Sequence, residues 1–338
     1  MSNKILLKKV CIIDPNSSYN GKEMDVLIED GNITKINKSI SIDKAELIQE
    51  KGLHICPGLF DFSVDFGEPG YEHKETLQSG CEAAMSGGFT GFGLNPTDTP
   101  PRDNKSAVAF CKNFTKNLPI EAFPFGSLSK DMKGEQLAEM YDMYKAGAVA
   151  FTDFNKPIKH SGLLSRALLY SKNFNGLIIS FPHDPTIAPN GQMNEGINST
   201  KMGVEGIPAL SEKTFLNRDL FINEYNEGRI HFNIISTSSS VDDIHKAKKS
   251  KQEVSCGTSI YHLLFDDSML LDFNSHFKFL PPLRTSNDRN SLLNGLKNGT
   301  IDLITSNHQP NDIESTQVEF MQAAFGAIGT QIAFPLAL

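Results

Sequence analysis

The chain has 338 residues, 39% hydrophobic and 21% charged, with a formal net charge of −8. That is enough apolar mass for a sizeable core, and an acidic chain without a basic run interleaved with aromatics is not expected to take nucleic acid as a partner. No apolar run has the length of a membrane span, the start MSNKILLKKV lacks the apolar core of a signal peptide, and Cys11, Cys56, Cys81, Cys111 and Cys256 form no CxxC, so the expectation is a cytoplasmic protein with reduced thiols and no membrane contact.

Residues 4 to 56 read as β structure. ILLKKVCIID is followed by MDVLIEDGNITKI, in which Asp30-Gly31 sits between two apolar runs and predicts a tight hairpin. No helical period of useful length appears before residue 73, and 1–56 is expected to form a small β domain. From residue 57 a short apolar run and a helical pattern alternate. FDFSVDF leads to HKETLQSGCEAAMSGG, TGFGLN to KSAVAFCKNF, IEAFPFGSL to EQLAEMYDMYKAG and AVAFTDF to SGLLSRALLYSKN. GLIISF leads, after a long loop, to SEKTFLNRDLFINEYNEG; RIHFNIIST leads to SVDDIHKAKKS; EVSCGTS leads to IYHLLF and DRNSLLNGLKNG; IDLITSN comes last. Gly88, Gly147, Gly228 and Gly299 stand where left-handed helix caps are wanted. Eight such units over 57–338 predict a closed parallel (β/α)8 barrel; no GxGxxG follows the first strand to favour an open doubly wound sheet.

Barrel chemistry belongs at the C-terminal strand ends. The pattern places Asp61, Ser63 and Asp65 there on strand one, Asn95 on strand two, and Thr152 and Asp153 on strand four. Strand five offers Ser180, with His183 and Asp184 just beyond. Strand six ends in Ile234, Ile235 and Ser236, and strand eight in Ser306, Asn307, His308 and Asn311. Of the nine histidines only His308 lies clearly at a strand end; His262, in IYHLLF, reads as a core histidine. The long loop from His183 to Ile207 exceeds an ordinary connection and is expected to cover the mouth.

GLFDFSVDFGEPGYEHKET, NEGINSTKMGVEGIPALSE, FKFLPPLRTSNDR and GTIDLITSNHQPN, in this order, strongly resemble dihydroorotases of the long bacterial type, in the amidohydrolase superfamily. The resemblance implies a (β/α)8 TIM barrel of the amidohydrolase type beside a small β domain from the N-terminal segment. It also implies zinc-dependent interconversion of carbamoyl aspartate and dihydroorotate in pyrimidine biosynthesis. Members continue beyond AFPLAL with the second part of the β domain, so that domain is expected to be partial here, its C-terminal part absent.

The family motif in strand one, D-x-H-x-H-x-R-E-P-G, has Ser63 and Asp65 here in place of its metal histidines and Gly67 in place of its substrate-binding arginine. Thr97 stands for an asparagine that helps hold the substrate carboxylate. Phe181 and Ile234 stand for metal histidines, and a one-residue shift would bring His183 closer to the place of the former. Asn307 stands for the aspartate that is metal ligand and base, and Asn311 for a second histidine. Asp153 matches the bridging aspartate, and His308 and Arg284 match their counterparts. Phe181 and Ile234 have no donor atoms, and Asn307 cannot take a proton.

The expectation is therefore a chain with no catalytic residues in service (vestigial Asp153, His308 and Asn307) and no cofactor. Arg284, Thr97 and His308 remain as candidate ligand contacts. Asp65, Asp153, His183 and His308 are the set that would bind zinc if the site were rebuilt. The leading function is a non-catalytic scaffold that partners aspartate carbamoyltransferase, as a homo-oligomer or part of a larger assembly. The alternatives are an active dihydroorotase or other cyclic-amide hydrolase with a rebuilt site, and a small-molecule sensor.

Overall fold

The computed structural model describes residues 4–338. The chain divides into two compact units, the first ending at Leu59 and the second running Phe60–Leu338. In the first unit, β1 (Lys4–Ile12) pairs antiparallel with β2 (Glu23–Glu29), which pairs antiparallel with β3 (Asn32–Asn37); β4 (Glu46–Ile48) and β5 (His54–Ile55) add to β1 in parallel. The hairpin turn is where the dipeptide put it: Asp30 and Gly31 both have positive φ, 49° and 81°, as a primed turn requires. One face of the sheet buries Val10, Ile12, Met24 and Val26. A register shift between Leu7 and Val10 brings Lys8 and Lys9 round to buried Asp25, which accepts from Lys8 Nζ (2.7 Å), Lys9 N (3.0 Å) and Ile40 N (2.8 Å).

The second unit carries β6 (Leu59–Val64), α1 (Leu77–Ser86), β7 (Phe89–Leu94), α2 (Lys105–Phe114), β8 (Glu121–Gly126), α3 (Met140–Ala146), β9 (Ala150–Phe151), α4 (Ser161–Ser171) and β10 (Leu177–Ser180). The long loop then forms a two-residue pair, β11 (Met193–Asn194) with β12 (Gly206–Ile207), around α5 (Ile197–Met202). It is followed by α6 (Ala209–Asn226), β13 (Ile230–Phe232), α7 (Ser238–Lys249), β14 (Val254–Ser259), α8 (Ile260–Leu264), α9 (Ser286–Lys297) and β15 (Leu303–Thr305). Eight parallel strands run in the order β15-β14-β13-β10-β9-β8-β7-β6. The barrel closes through a bridge between Val64 and His308, with Asp65 N donating to His308 O at 2.9 Å.

Two local expectations change. The pattern EQLAEMYDMYKAG yields a helix only from Met140, because residues before it fold back: Lys130 N donates to Gln136 O (2.9 Å) and Ala138 N to Leu128 O (3.0 Å). Gly88, Gly147 and Gly299 take positive φ, but at the end of α6 it is Glu227 that does so, with φ 48°. Gly228 instead permits close packing, since a Cβ there would lie 2.8 Å from Leu168 Cδ2. No helix among the described residues is long and apolar enough to cross a membrane.

Candidate functional site

The turn after β6 explains half of the strand-one motif. Glu68 Oε2 accepts from Leu77 N at 2.6 Å, and Thr76 and Ser79 form a capping box, so EPGYEHKET builds the start of α1. Gly67 has φ 71°, and a Cβ on it would meet Tyr71 O at 2.9 Å; only glycine fits this backbone without strain. Behind the next strand, fully buried Arg102 donates to Leu94 O, Asn95 O, Phe125 O and, at 2.8 Å, Asp98 Oδ1, which fixes the PTDTP loop. That loop holds the Thr97 hydroxyl as a donor to Asp65 Oδ1, which also accepts from Gly67 N at 3.1 Å. Burial pushes the Asp65 carboxyl above the usual range, against its hydrogen bonds and the nearby Lys74 and His308.

Deeper in the mouth the side chains satisfy one another. Ser63 Oγ accepts from Asn95 Nδ2 and from Asn233 Nδ2, both at 3.0 Å, so three strands meet on one hydroxyl. Asp61 Oδ1 accepts from Thr305 Oγ1 (2.7 Å) and Ser306 N (3.0 Å), and its burial raises the carboxyl pKa. Asn307 Oδ1 accepts from Gln309 Nε2 at 2.7 Å. His308 has both ring nitrogens engaged: Nδ1 accepts from Gly329 N (3.0 Å), so Nε2 carries the proton and donates to Glu75 Oε2 at 2.7 Å. Ile234 and Asn307 hold left-handed backbone angles, φ 60° and 50°. For a β-branched residue this is strain of about 1–3 kcal/mol, of the kind found at functional sites.

The other expected site residues stand apart. Asp153 is buried and accepts from Leu128 N, Ser129 N (both 3.0 Å) and Ser129 Oγ; desolvation pushes its carboxyl up. His183 Nδ1 meets Ser211 Oγ at 3.0 Å, its ring is 5.7 Å from that of Phe181, and burial lowers its pKa. Arg284 is buried in a separate network: it donates to Ser236 Oγ (3.0 Å), Asn194 Oδ1 (3.0 Å) and Ile207 O (2.5 Å), and so ties the 183–207 loop to the segment after β13. Asn194 in turn donates to Asp267 at 2.7 Å. Next to Arg284, buried Glu212 accepts from Ser236 N, Thr237 N and the hydroxyls of Ser236, Thr237 and Ser240.

The sequence pattern passed over Asn233, Glu75, Ser129 and Glu212. Asn233 carried a signal, an amide inside the apolar run HFNII. Glu75 and Glu212 sit among ordinary helix-start acids, and nothing in the sequence separates them from solvated ones.

The donor set does not fit a zinc centre. Among the described residues no three His, Cys, Asp or Glu side chains are grouped as metal ligands. Ser63 is committed to two amides, Phe181 and Ile234 offer no donor, and neither ring nitrogen of His308 is free.

Residues 52–240 match the family described as dihydro-orotase-like. The chain is 40% identical over 335 residues to a dihydroorotase of Acetivibrio thermocellus, covering 99% of this chain and 78% of that protein. It is 37% identical to a dihydroorotase of Ruminiclostridium cellulolyticum, with the same coverage. Among solved structures it resembles an L-hydantoinase (dihydropyrimidinase) from Arthrobacter aurescens, with TM-score 0.85 and 20% identity over 99% of this chain and 76% of that one. At that identity the likeness shows the fold, an amidohydrolase-type barrel.

Proposed function

Because this chain belongs to the dihydro-orotase-like family, we propose that it is a non-catalytic member, a cytoplasmic protein of pyrimidine biosynthesis that serves as a scaffold for aspartate carbamoyltransferase. One observation carries the reading: of the positions of the metal-binding motif, Asp65 and Asp153 keep a carboxyl but spend it on protein donors, and the others hold neutral side chains bonded to neutral partners or apolar ones. Ser63 binds Asn95 and Asn233, Asn307 binds Gln309, and Ile234 and Phe181 have nothing to offer a cation. With no group to lower the pKa of water and no free base, hydrolysis of a cyclic amide has neither nucleophile nor proton acceptor.

The test is zinc analysis of the purified protein together with dihydroorotase assays in both directions. The expected result is far less than one zinc per chain and no turnover. Stoichiometric zinc, or turnover that survives chelator treatment and is lost in Asp153→Ala, would establish the active-hydrolase alternative instead. Light scattering, alone and mixed with aspartate carbamoyltransferase, tests the scaffold role: a homo-oligomer or a mixed assembly is expected, and monomer under both conditions would end it.

A further inference from the structure

Between the segments that follow β8, β9 and β10 lies a cavity of about 310 Å³. Its wall includes Lys133, Asn155, Lys156, Lys159 and His160, and among the described residues its single acidic member is Asp153. Both Asp153 oxygens are turned to donors on the β8 side: Oδ1 to Leu128 N and Ser129 N, Oδ2 to the Ser129 hydroxyl. Lys133 is partly offset by Asp131 at 3.2 Å. Lys159 forms no ion pair among the described residues, and Lys156 makes none at contact distance, though its charge acts on the Asp153 carboxyl. The wall of the cavity thus includes three lysines and a histidine against one aspartate in a chain whose net charge is −8. A concave wall of one sign concentrates counter-ions of the other sign. The volume is at the small end for ligand pockets, roughly 300–1,000 Å³, which suits a small metabolite and not a polymer.

We propose that this cavity is a binding site for a small dianion, a phosphate or a dicarboxylate, held chiefly by Lys156 and Lys159 with Lys133 and His160 at its edge. Asp153 lines the site, and none of Ser63, Asn233 and Asn307 does. It goes beyond the scaffold reading, because neither the site nor its test involves turnover.

The test is titration of the whole chain, by calorimetry and thermal melting, with sodium phosphate or disodium succinate against sodium chloride and sodium acetate at equal ionic strength. A ligand that binds only the native state raises its melting temperature saturably. Saturable binding of phosphate or succinate, and not of chloride or acetate, is expected, and the tighter of the two identifies the class of head group. Lys156→Gln/Lys159→Gln should weaken that binding at least tenfold, while Lys116→Gln, on the segment before β8, leaves it unchanged. Both lysines are exposed, so the double variant should melt normally without ligand; if it does not, each single variant is read in the same titration. Equal responses to chloride and the dianions, or unchanged affinity in folded variants, would overturn the proposal.

Discussion

At the seam where β6 meets β15, the Ser63 and Asn307 hydrogen bonds run to neutral partners, Ser63 to Asn95 and Asn233 and Asn307 to Gln309, with the Asp61 carboxyl held nearby by Thr305 and Ser306. Below the 183–207 loop the buried polar groups are charged. Glu212, Arg284 and Asp267 are all buried, and their hydrogen bonds reach β11, β12, the segment after β13 and the start of α7. The difference is one of tolerance. A neutral hydrogen-bonded group exchanged for another costs little when its partners can re-pair, about 1 kcal/mol per bond. A buried charge stripped of its partner has no cheap substitute, because its desolvation is left uncompensated. The seam can therefore lose a cation-binding set and stay folded, whereas the charged cluster holds the loop in place and depends on every member.

The sharpest way to break this comparison is Glu212→Ala. It leaves five donors without their acceptor and removes the negative charge beside the Arg284 guanidinium, and should cost about 3–5 kcal/mol in urea unfolding. A loss under about 1 kcal/mol, the worth of a single neutral hydrogen bond, would mean that the cluster is no more demanding than the seam. Next in size, Gly67→Arg puts back the side chain that the family motif has at this position. With a left-handed backbone, and Tyr71 O only 2.9 Å from where the Cβ would stand, it should be destabilising by about 1–3 kcal/mol in the same assay. An unchanged midpoint would show that the turn yields more readily than its geometry implies.

Acid provides the third measurement. His262 lies against the charged cluster with Nδ1 on Ser259 Oγ (2.7 Å) and Nε2 on Pro281 O (3.0 Å), and burial lowers its pKa to about 4. His231, inside the barrel on β13, is lowered by burial to about 3. Both folded values lie below the unfolded 6.5, so only the unfolded chain takes up these protons on acidification. Their contribution to stability is whole above pH 6.5 and declines as the pH falls toward 4. Two protons correspond to a slope of up to about 2.7 kcal/mol per pH unit. His262→Asn should remove about half of it, read from unfolding free energies across that window. The smallest effect is expected at the seam: Asp65→His, Asn307→Asp and the pair should neither take up zinc nor turn over dihydroorotate, because a lone ligand gains little of the free energy of a complete site. Zinc and turnover in either single variant would place the seam one step from an active centre.

Much of the architecture was legible in the residues. Asp30-Gly31 announced a hairpin because few residue pairs tolerate two successive positive φ values, and the eight strand runs announced a barrel because apolar runs of that length, each followed by a helical period, must be buried on both faces. The substitutions at 63, 65, 181, 234 and 307 were legible too, since an isoleucine or phenylalanine side chain has no lone pair in any fold. What the sequence could not decide was which polar groups meet. That Asn233 shares Ser63 with Asn95, that His308 spends both nitrogens on Glu75 and Gly329, and that Arg284 serves the loop at Asn194 and Ile207 are contacts between residues 21 to 233 positions apart. Local propensity acts over a few residues. Partners at such separations are chosen only when the closed barrel brings the strand ends together, and there burial makes each unmet hydrogen bond costly enough to select one arrangement.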